Sequence, residues 1–328
     1  MPTISVICPV HDTPPDLLRA AAGAVLAEPV AELLLVDDAS RDAGTRAALA
    51  MLTEGNHRAR VLRSEANVGP AEARNIGLRV AGGEWVGFTD ADDTWLPGRV
   101  ALLETALAHM PGVVWLSGSY RVAFPDGTAH NLLPLSAEEG LGARALGEGL
   151  HLMGGPALTR RLPNSFCLHL GPTLVRRKEL LALGGFREGV WIGEDTLLFL
   201  LLSTEYPLLY AKAPLYTQHM EGASITNSAV ALRCGDVSML RAAMREPALH
   251  PFRRELRWAL YSSEKQLAAS NLLASNMAVA LVAALRGWAL DPRELPALLR
   301  FLRAALTKGE TRRKLLSRYS GARVIVPR

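Results

Sequence analysis

Asp90 and Asp92 are one residue apart in the run Glu84-Trp85-Val86-Gly87-Phe88-Thr89-Asp90-Ala91-Asp92-Asp93. Two carboxylates this close repel each other unless a cation lies between or beside them. A hard divalent ion with oxygen ligands suits such a pair, and Mg2+ in particular keeps waters and bridges phosphates. The same run shows what must position the pair. Trp85, Val86 and Phe88 favour a pleated, buried strand. Gly82-Gly83 breaks the chain before it and Pro97-Gly98 punctuates it afterwards. Asp90 and Asp92 then stand where a core strand runs out into a loop, the place where open α/β sheets bind ligands. A plain acidic turn, with Asp93 and Thr94 capping the next helix, would produce the same run.

Other chemistry-bearing residues also follow apolar runs. Asp37-Asp38-Ala39-Ser40 come after the strand-like residues 33–36. Glu194-Asp195 directly precede the very apolar residues 197–202. Acids there can be simple partners of a helix N-terminus, or a general base held at a helix start. His219 lies beyond strand-like residues 208–216, in a loop containing Gly222. A histidine there is open as a metal or phosphate contact.

The elements that carry these residues alternate. Residues 3–9 read as a buried first strand, with Pro14 or Pro15 opening a helix to about Leu26. Strand 33–36, a helix over 45–52 and a short strand over 60–62 follow. Gly69-Pro70 opens a helix carrying Arg74 and Asn75, and the strand ending at Asp90 comes next. This β-α-β-α order predicts a doubly wound, mostly parallel sheet flanked by helices. No G-x-G-x-x-G follows the first strand, which argues against a dinucleotide-binding domain. Polar groups at three strand ends suit one nucleotide laid across several loops instead.

Further on, residues 113–123 read as a strand and Pro125-Asp126-Gly127 as a hairpin turn. Residues 134–165 are Gly- and Leu-rich without clean periodicity and read as a helical or loop insertion that could shape an acceptor pocket. Residues 170–175 read as a strand, and residues 178–183 as a short helix stopped by Gly184-Gly185. From about residue 229 the chain reads as helical to near 319.

The 328 residues are 49% hydrophobic and 21% charged, ordinary for one or two globular domains. Cys8, Cys167 and Cys234 form no C-x-x-C, so neither a disulfide framework nor a structural zinc site is suggested, and a reducing cytoplasm fits. No charged-then-apolar leader opens the sequence. The apolar runs at 197–202 and 272–285 are shorter than the ~20 residues that span a bilayer, which excludes an integral membrane protein. The net charge of +4 hides an asymmetry: residues 1–228 carry 18 basic and 25 acidic side chains, and residues 229–328 carry 18 and 7. Arg253, Arg254, Arg257, Arg312, Arg313 and Lys314 sit among Leu and Ala. They read as solvated helix faces or as a basic amphipathic surface for peripheral membrane contact, although no Trp- or Phe-lined apolar face stands out.

Taken in order, these motifs resemble the inverting glycosyltransferases of family 2, with the GT-A fold. The resemblance rests on Val6-Ile7-Cys8-Pro9-Val10, Leu35-Val36-Asp37-Asp38-Ala39-Ser40, Asn67-Val68-Gly69 with Ala73-Arg74-Asn75, Asp90-Ala91-Asp92-Asp93, Gly184-Gly185-Phe186 and Glu194-Asp195, across roughly residues 3–220. It implies a GT-A-like catalytic domain over 1–228, with a donor part over about 1–110 and an acceptor part over about 111–228. A basic helical region over 229–328 follows. It implies that Pro9, Asp12, Asp37, Asp38, Asn67, Arg74 and Glu194 serve the nucleotide-sugar donor, with Asp90 at the ribose or sugar. Asp92, with Asp90 and His219, would hold Mg2+ or Mn2+, and Asp195 would be the catalytic base. The implied partners are a nucleotide-sugar donor, UDP by family frequency, and a glycan or lipid-linked acceptor, with no nucleic acid. The sequence departs from the pattern after Asp195, where Leu197-Leu198 follow Thr196, and before His219, where Thr217-Gln218 replace an Arg. The Q-x-x-R-W pattern of processive synthases is absent. A sugar nucleotidyltransferase would need a Gly-rich basic loop where Pro9-Val10-His11-Asp12-Thr13-Pro14-Pro15 stands. A non-catalytic carbohydrate-binding relative is the other rival.

Overall fold

The computed structural model describes residues 1–132, 143–164, 168–220 and 229–320. The chain divides into two compact units, Met1–Gly222 and Ala223–Arg328.

In the first unit, β1 (Ile4–Val10), β2 (Glu32–Asp37), β3 (Ala59–Arg63) and β4 (Trp85–Phe88) alternate with α1 (Pro15–Leu26), α2 (Ala43–Thr53) and α3 (Gly69–Val80). β1 runs parallel to both β2 and β4, and β2 runs parallel to β3. Helices cover both faces, so these strands are continuously apolar: Ile4, Val6, Ile7, Leu33, Leu34, Leu35, Trp85 and Val86 are fully buried. Pro15 opens α1, and the Asp42 carboxylate caps α2 by accepting the Thr45 N–H at 2.6 Å. α3 lies tight on β1, because a Cβ at Gly77 would stand 2.6 Å from Ile7 Cγ2. That close approach sets the depth at which α3 presents Arg74.

The sheet continues through β5 (Thr94–Trp95), α4 (Arg99–His109), β6 (Trp115–Ala123), β7 (Ala129–Leu132), β8 (Arg144–Gly147), β9 (Leu150–Met153), α5 (Gly155–Arg161), β10 (Leu174–Arg176), α6 (Arg177–Ala182), α7 (Glu194–Glu205) and β11 (Leu208–His219). The strand order is β3-β2-β1-β4-β10-β6-β11-β9-β8, with β5 on β11 and β7 on β6. β5, β7, β9 and β10 run against the other strands, so the sheet is mixed but mostly parallel in direction. The Pro125-Asp126-Gly127 turn does join β6 to β7 as a hairpin. α7 is buried all round from Leu197 through Leu202, and Phe199 stacks on Trp115 at 5.9 Å.

Two local expectations change. The sequence of 134–165 predicts a helical or loop insertion. Residues 144–153 instead form the β8–β9 hairpin, because β9 finds a partner in β11, with Leu208 opposite Met153. That pairing is tertiary and leaves no periodic trace in the segment itself. Residues 133–142 and 165 lie outside the described residues. Asp93 and Thr94 cap no helix: α4 begins only at Arg99, behind Gly98, and Thr94 belongs to β5.

The second unit is helical, with α8 (Ala229–Ala243), α9 (Arg253–Leu273), α10 (Met277–Leu290), α11 (Leu295–Ala305) and α12 (Gly309–Ser320). Arg241 of α8 is ion-paired to the buried Glu264 of α9. Among the described residues, no helix is long and apolar enough to cross a membrane.

Candidate functional site

β1, β2 and β4 are parallel neighbours, so their carboxyl ends open at one rim. After β4 the chain turns sharply, and the Asp93 N–H donates to the Asp90 carbonyl at 3.3 Å. The turn gathers the carboxylates of Asp90, Asp92 and Asp93. β5 pairs Thr94 with Thr217 of β11, which brings the His219 backbone N–H to Asp93 Oδ1 at 2.8 Å. The Asp90 N–H donates to the Tyr216 hydroxyl at 3.0 Å.

Arg74 reaches this turn from α3. Its Nη2 donates to Asp90 Oδ1 at 2.7 Å and its Nη1 donates to Glu194 Oε1 at 2.6 Å. The Arg74 side chain is only 5% exposed, and its Cζ lies 5.6 Å from the Phe186 ring centroid. Arg74 thus ties the end of β4 to the first turn of α7, and the residue after Glu194 is Asp195. Because α7 is buried along its length, that first turn is held in place. Asp195 Oδ1 accepts the Thr196 N–H at 2.6 Å, and the charges of both Asp195 and Asp90 act on His169.

The electrostatics follow from this crowding. Burial pushes the Asp92 carboxyl up, and Asp90 adds to the shift. Burial, then Asp90 and Asp92, raise Asp93 to about 8. The Cys8 thiol in β1 is driven upward as well, by burial and then by Asp90 and Asp92. Burial would lower Arg74, but Asp90 and Glu194 outweigh it and hold the guanidinium charged. Burial raises Glu194, Arg74 pulls it down and Asp195 raises it again. A direct bond to a guanidinium that keeps its proton favours the ionised carboxylate.

The donor set suits a hard divalent cation. Asp90, Asp93 and His169 offer ligand atoms that all lie within 4.8 Å of one another. His169 Nδ1 accepts the Gly171 N–H at 3.0 Å, so the neutral ring carries its proton on Nε2 and acts as a donor there. Oxygen ligands are therefore left to bind a cation, which is the preference of Mg2+ and Mn2+. Of the three carboxylates of the turn only Asp90 is ion-paired among the described residues, which leaves Asp92 and Asp93 without a cationic partner there. His219 ends β11 rather than lying in a loop beyond it; its charge acts on Asp92, and its Nε2 lies 3.0 Å from Thr94 Oγ1.

The residues expected to touch a donor divide into two groups. Pro9 is half-buried, and Asp12 and Asn67 are exposed at the rim with His11 between them. His11 Nδ1 lies 2.7 Å from the Asp38 carbonyl oxygen and its Nε2 lies 3.1 Å from Asn67 Nδ2. Asp12, at φ 46°, accepts the Arg41 and Asp42 N–H groups at 2.7 and 2.8 Å. Asp37 and Asp38 are buried and already engaged. Asp37 is paired with Arg63 and accepts the Ser40 N–H at 2.9 Å. Asp38 accepts the Val68 and Gly69 N–H groups at 2.8 and 2.9 Å, which caps α3 from another loop. With Arg74 and Glu194, these residues hold the rim from within.

His11, Asp93, His169 and Trp191 were not assigned site roles from the sequence. His11 could have been found between Pro9 and Asp12. Trp191 is 49% exposed and lies against Gly69, where a Cβ would stand 3.1 Å from the indole and φ is +82°. One ring face is thus covered by backbone beside the start of α3.

Residues 5–164 match the family model described as Glycosyl transferase family 2. This stretch belongs to that family. Its fold is GT-A: TarS 1–349 of S. aureus, solved in complex with UDP-GlcNAc, superposes with TM-score 0.62 at 16% identity, over 97% of this chain and 89% of that one. The mannosyltransferase PcManGT of Pyrobaculum calidifontis, in complex with GDP-Man and Mn2+, gives 0.55 at 21% identity, over 93% and 86%. In sequence, the family-2 stretch is similar to the succinoglycan biosynthesis protein ExoU of Rhizobium meliloti (strain 1021), 39% identical over 89 residues, or 27% of this chain and 26% of ExoU. The chain spans between 8% and 28% of the first three curated relatives it matches.

Proposed function

We propose that residues 1–228 form a metal-dependent inverting glycosyltransferase. It moves a sugar from a nucleotide-diphosphate donor, with a UDP-sugar first among candidates, to a hydroxyl of a growing glycan or lipid-linked saccharide. The observation that carries this reading is the Arg74 link, because it brings the acidic turn after β4 and the Glu194-Asp195 pair to one rim. The donor class is supported by the two nucleotide-sugar complexes of like fold, one with UDP-GlcNAc and one with GDP-Man.

In this reading His11, Asp12 and Asn67 meet the nucleoside, and Asp38 keeps their loops in register. Breaking the anomeric bond builds positive charge on the sugar and negative charge on the departing diphosphate. A Mg2+ or Mn2+ ion held by Asp92 with Asp90 and Asp93 would supply Lewis-acid neutralisation of that leaving group. Asp90, bonded to Arg74, faces the ribose or sugar. Asp195 accepts the proton of the incoming hydroxyl as it attacks, a role typically worth about 10²–10⁴-fold. A single displacement from the face opposite the leaving group inverts the anomeric centre. Trp191 offers its open face to an acceptor ring.

The test is titration calorimetry with UDP and GDP in the presence of Mn2+, followed by donor-hydrolysis and transfer assays. Asp195→Asn should abolish transfer and leave donor binding unchanged. Equal loss of both would remove Asp195 from the role of base. Metal-dependent nucleotide binding with no turnover across donors would favour a non-catalytic binding protein.

A further inference from the structure

The second unit carries an apolar surface that its own packing does not use. In α10 the buried stripe is made of small residues, Ala280, Ala283, Ala284 and Gly287. The large side chains point the other way: Leu281, Val282, Leu285 and Trp288 are 37–45% exposed. An ordinary surface helix buries its large apolar residues, so this helix is reversed. α11 repeats the pattern. Leu295, Leu299 and Leu302 are 38–56% exposed, Leu306 follows at 89%, and their spacing places them on one stripe. The opposite stripe, with Leu298 and Phe301, is buried.

Charge says what covers this surface. Neither α10 nor α11 contains an Asp or Glu, whereas Arg286 and Arg303 are exposed on them and Lys308 follows in the next turn. Between the helices, Asp291 is neutralised by Arg293 at 2.9 Å. Across residues 229–328 there are 18 basic and 7 acidic side chains. A face rimmed by cations repels its own copy and attracts phosphates. Exposed Leu stripes with Trp288 at their edge are what the boundary between headgroups and acyl chains accepts. We propose that the outward stripes of α10 and α11 dock the chain on an anionic phospholipid bilayer, with both helices lying in the interface. This does not depend on the glycosyl-transfer reading.

The test is co-sedimentation of the full chain with phosphatidylcholine vesicles, with and without phosphatidylglycerol. The chain should pellet with the anionic vesicles, and less so as salt is raised. Replacing Leu281, Leu285, Leu299 and Leu302 together by Gln should cut partitioning by more than about a hundredfold. Arg286→Gln, Arg303→Gln and Lys308→Gln should each cut it by about fivefold. Circular-dichroism melting of each variant separates loss of fold from loss of docking. Equal binding to neutral and anionic vesicles, or binding to neither, overturns the proposal. So does a dimer in light scattering that the Leu substitutions convert to monomer, which would assign the face to a second copy.

Discussion

Arg74→Met tests whether the buried guanidinium organises the site or merely touches a ligand. The substitution keeps the length and apolar stem of the side chain. It leaves the carboxylates of Asp90 and Glu194 facing each other without the charge between them. Removing one partner of a buried ion pair typically costs about 3–5 kcal/mol. Glu194 is 11% exposed and cannot regain water, whereas Asp90 is 37% exposed and recovers part of its hydration. The lower end, about 3 kcal/mol, is therefore expected. For a unit of this size each kcal/mol shifts the melting temperature by about 2–4 °C, so a fall of about 6–12 °C follows. Arg74→Lys should fall in between, since one ammonium cannot fork to two carboxylates. Adding Glu194→Gln to Arg74→Met removes the stranded charge and should recover about half of the loss. The assay is thermal unfolding by circular dichroism, run beside calorimetric titration of UDP. If Arg74→Met melts within about 2 °C of the parent while donor affinity falls at least about tenfold, Arg74 is a donor contact and the organising role is refuted.

Three further outcomes follow from the same geometry. Burial and its acidic neighbours raise Asp93 to about 8, so the unfolded chain releases that proton near pH 4 and the folded chain only near 8. Without a cation, stability should therefore fall as pH rises between about 4 and 8; melting scans in EDTA should show this, and Asp93→Asn should flatten the slope. Added Mn2+ should stabilise more as pH rises, because the same carboxylates must be deprotonated to bind it. Trp191→Ala should raise the acceptor KM by about 2–12-fold, the equivalent of about 0.5–1.5 kcal/mol of ring stacking, with donor KM and melting temperature unchanged.

The parallel half of the sheet is legible in the sequence for a physical reason. Strands covered on both faces must be apolar without interruption, and the acids at the ends of β2 and β4 mark where cover stops. The turn with Asp92 can be found that way, and so can Asp195, because a wholly apolar helix such as α7 announces its own start. What Asp37 and Asp38 do is not legible. Their type is visible, but the N–H groups of Val68 and Gly69 that Asp38 accepts lie 30 residues on and belong to another loop. The same holds for Asp93, His169 and the β8–β9 hairpin. Asp93 and the hairpin are placed through pairing with β11, His169 through ring contacts with Tyr120 and Tyr216, and a two-residue strand such as β5 carries no periodicity to read.

Arg99 shows how far such placement extends. It is the first residue of α4. In the fold it is fully buried, 3.7 Å from the Trp95 ring centroid, and donates to the carbonyls of Gly171 and Leu215. Burial lowers it to about 9, and Tyr216 and Glu28 resist that shift. Those two carbonyls belong to the loop that carries His169 and to the strand that carries Tyr216. Arg99 therefore fastens together the two segments that wall the acidic turn, and its charge reaches His169. A neutral residue could fill the space but would strip the Gly171 carbonyl of its Arg99 donor and leave the Leu215 carbonyl with the Leu96 N–H alone. Two buried guanidinium groups brace the rim, Arg74 bonded directly to Asp90 and Arg99 bonded to the backbone behind it.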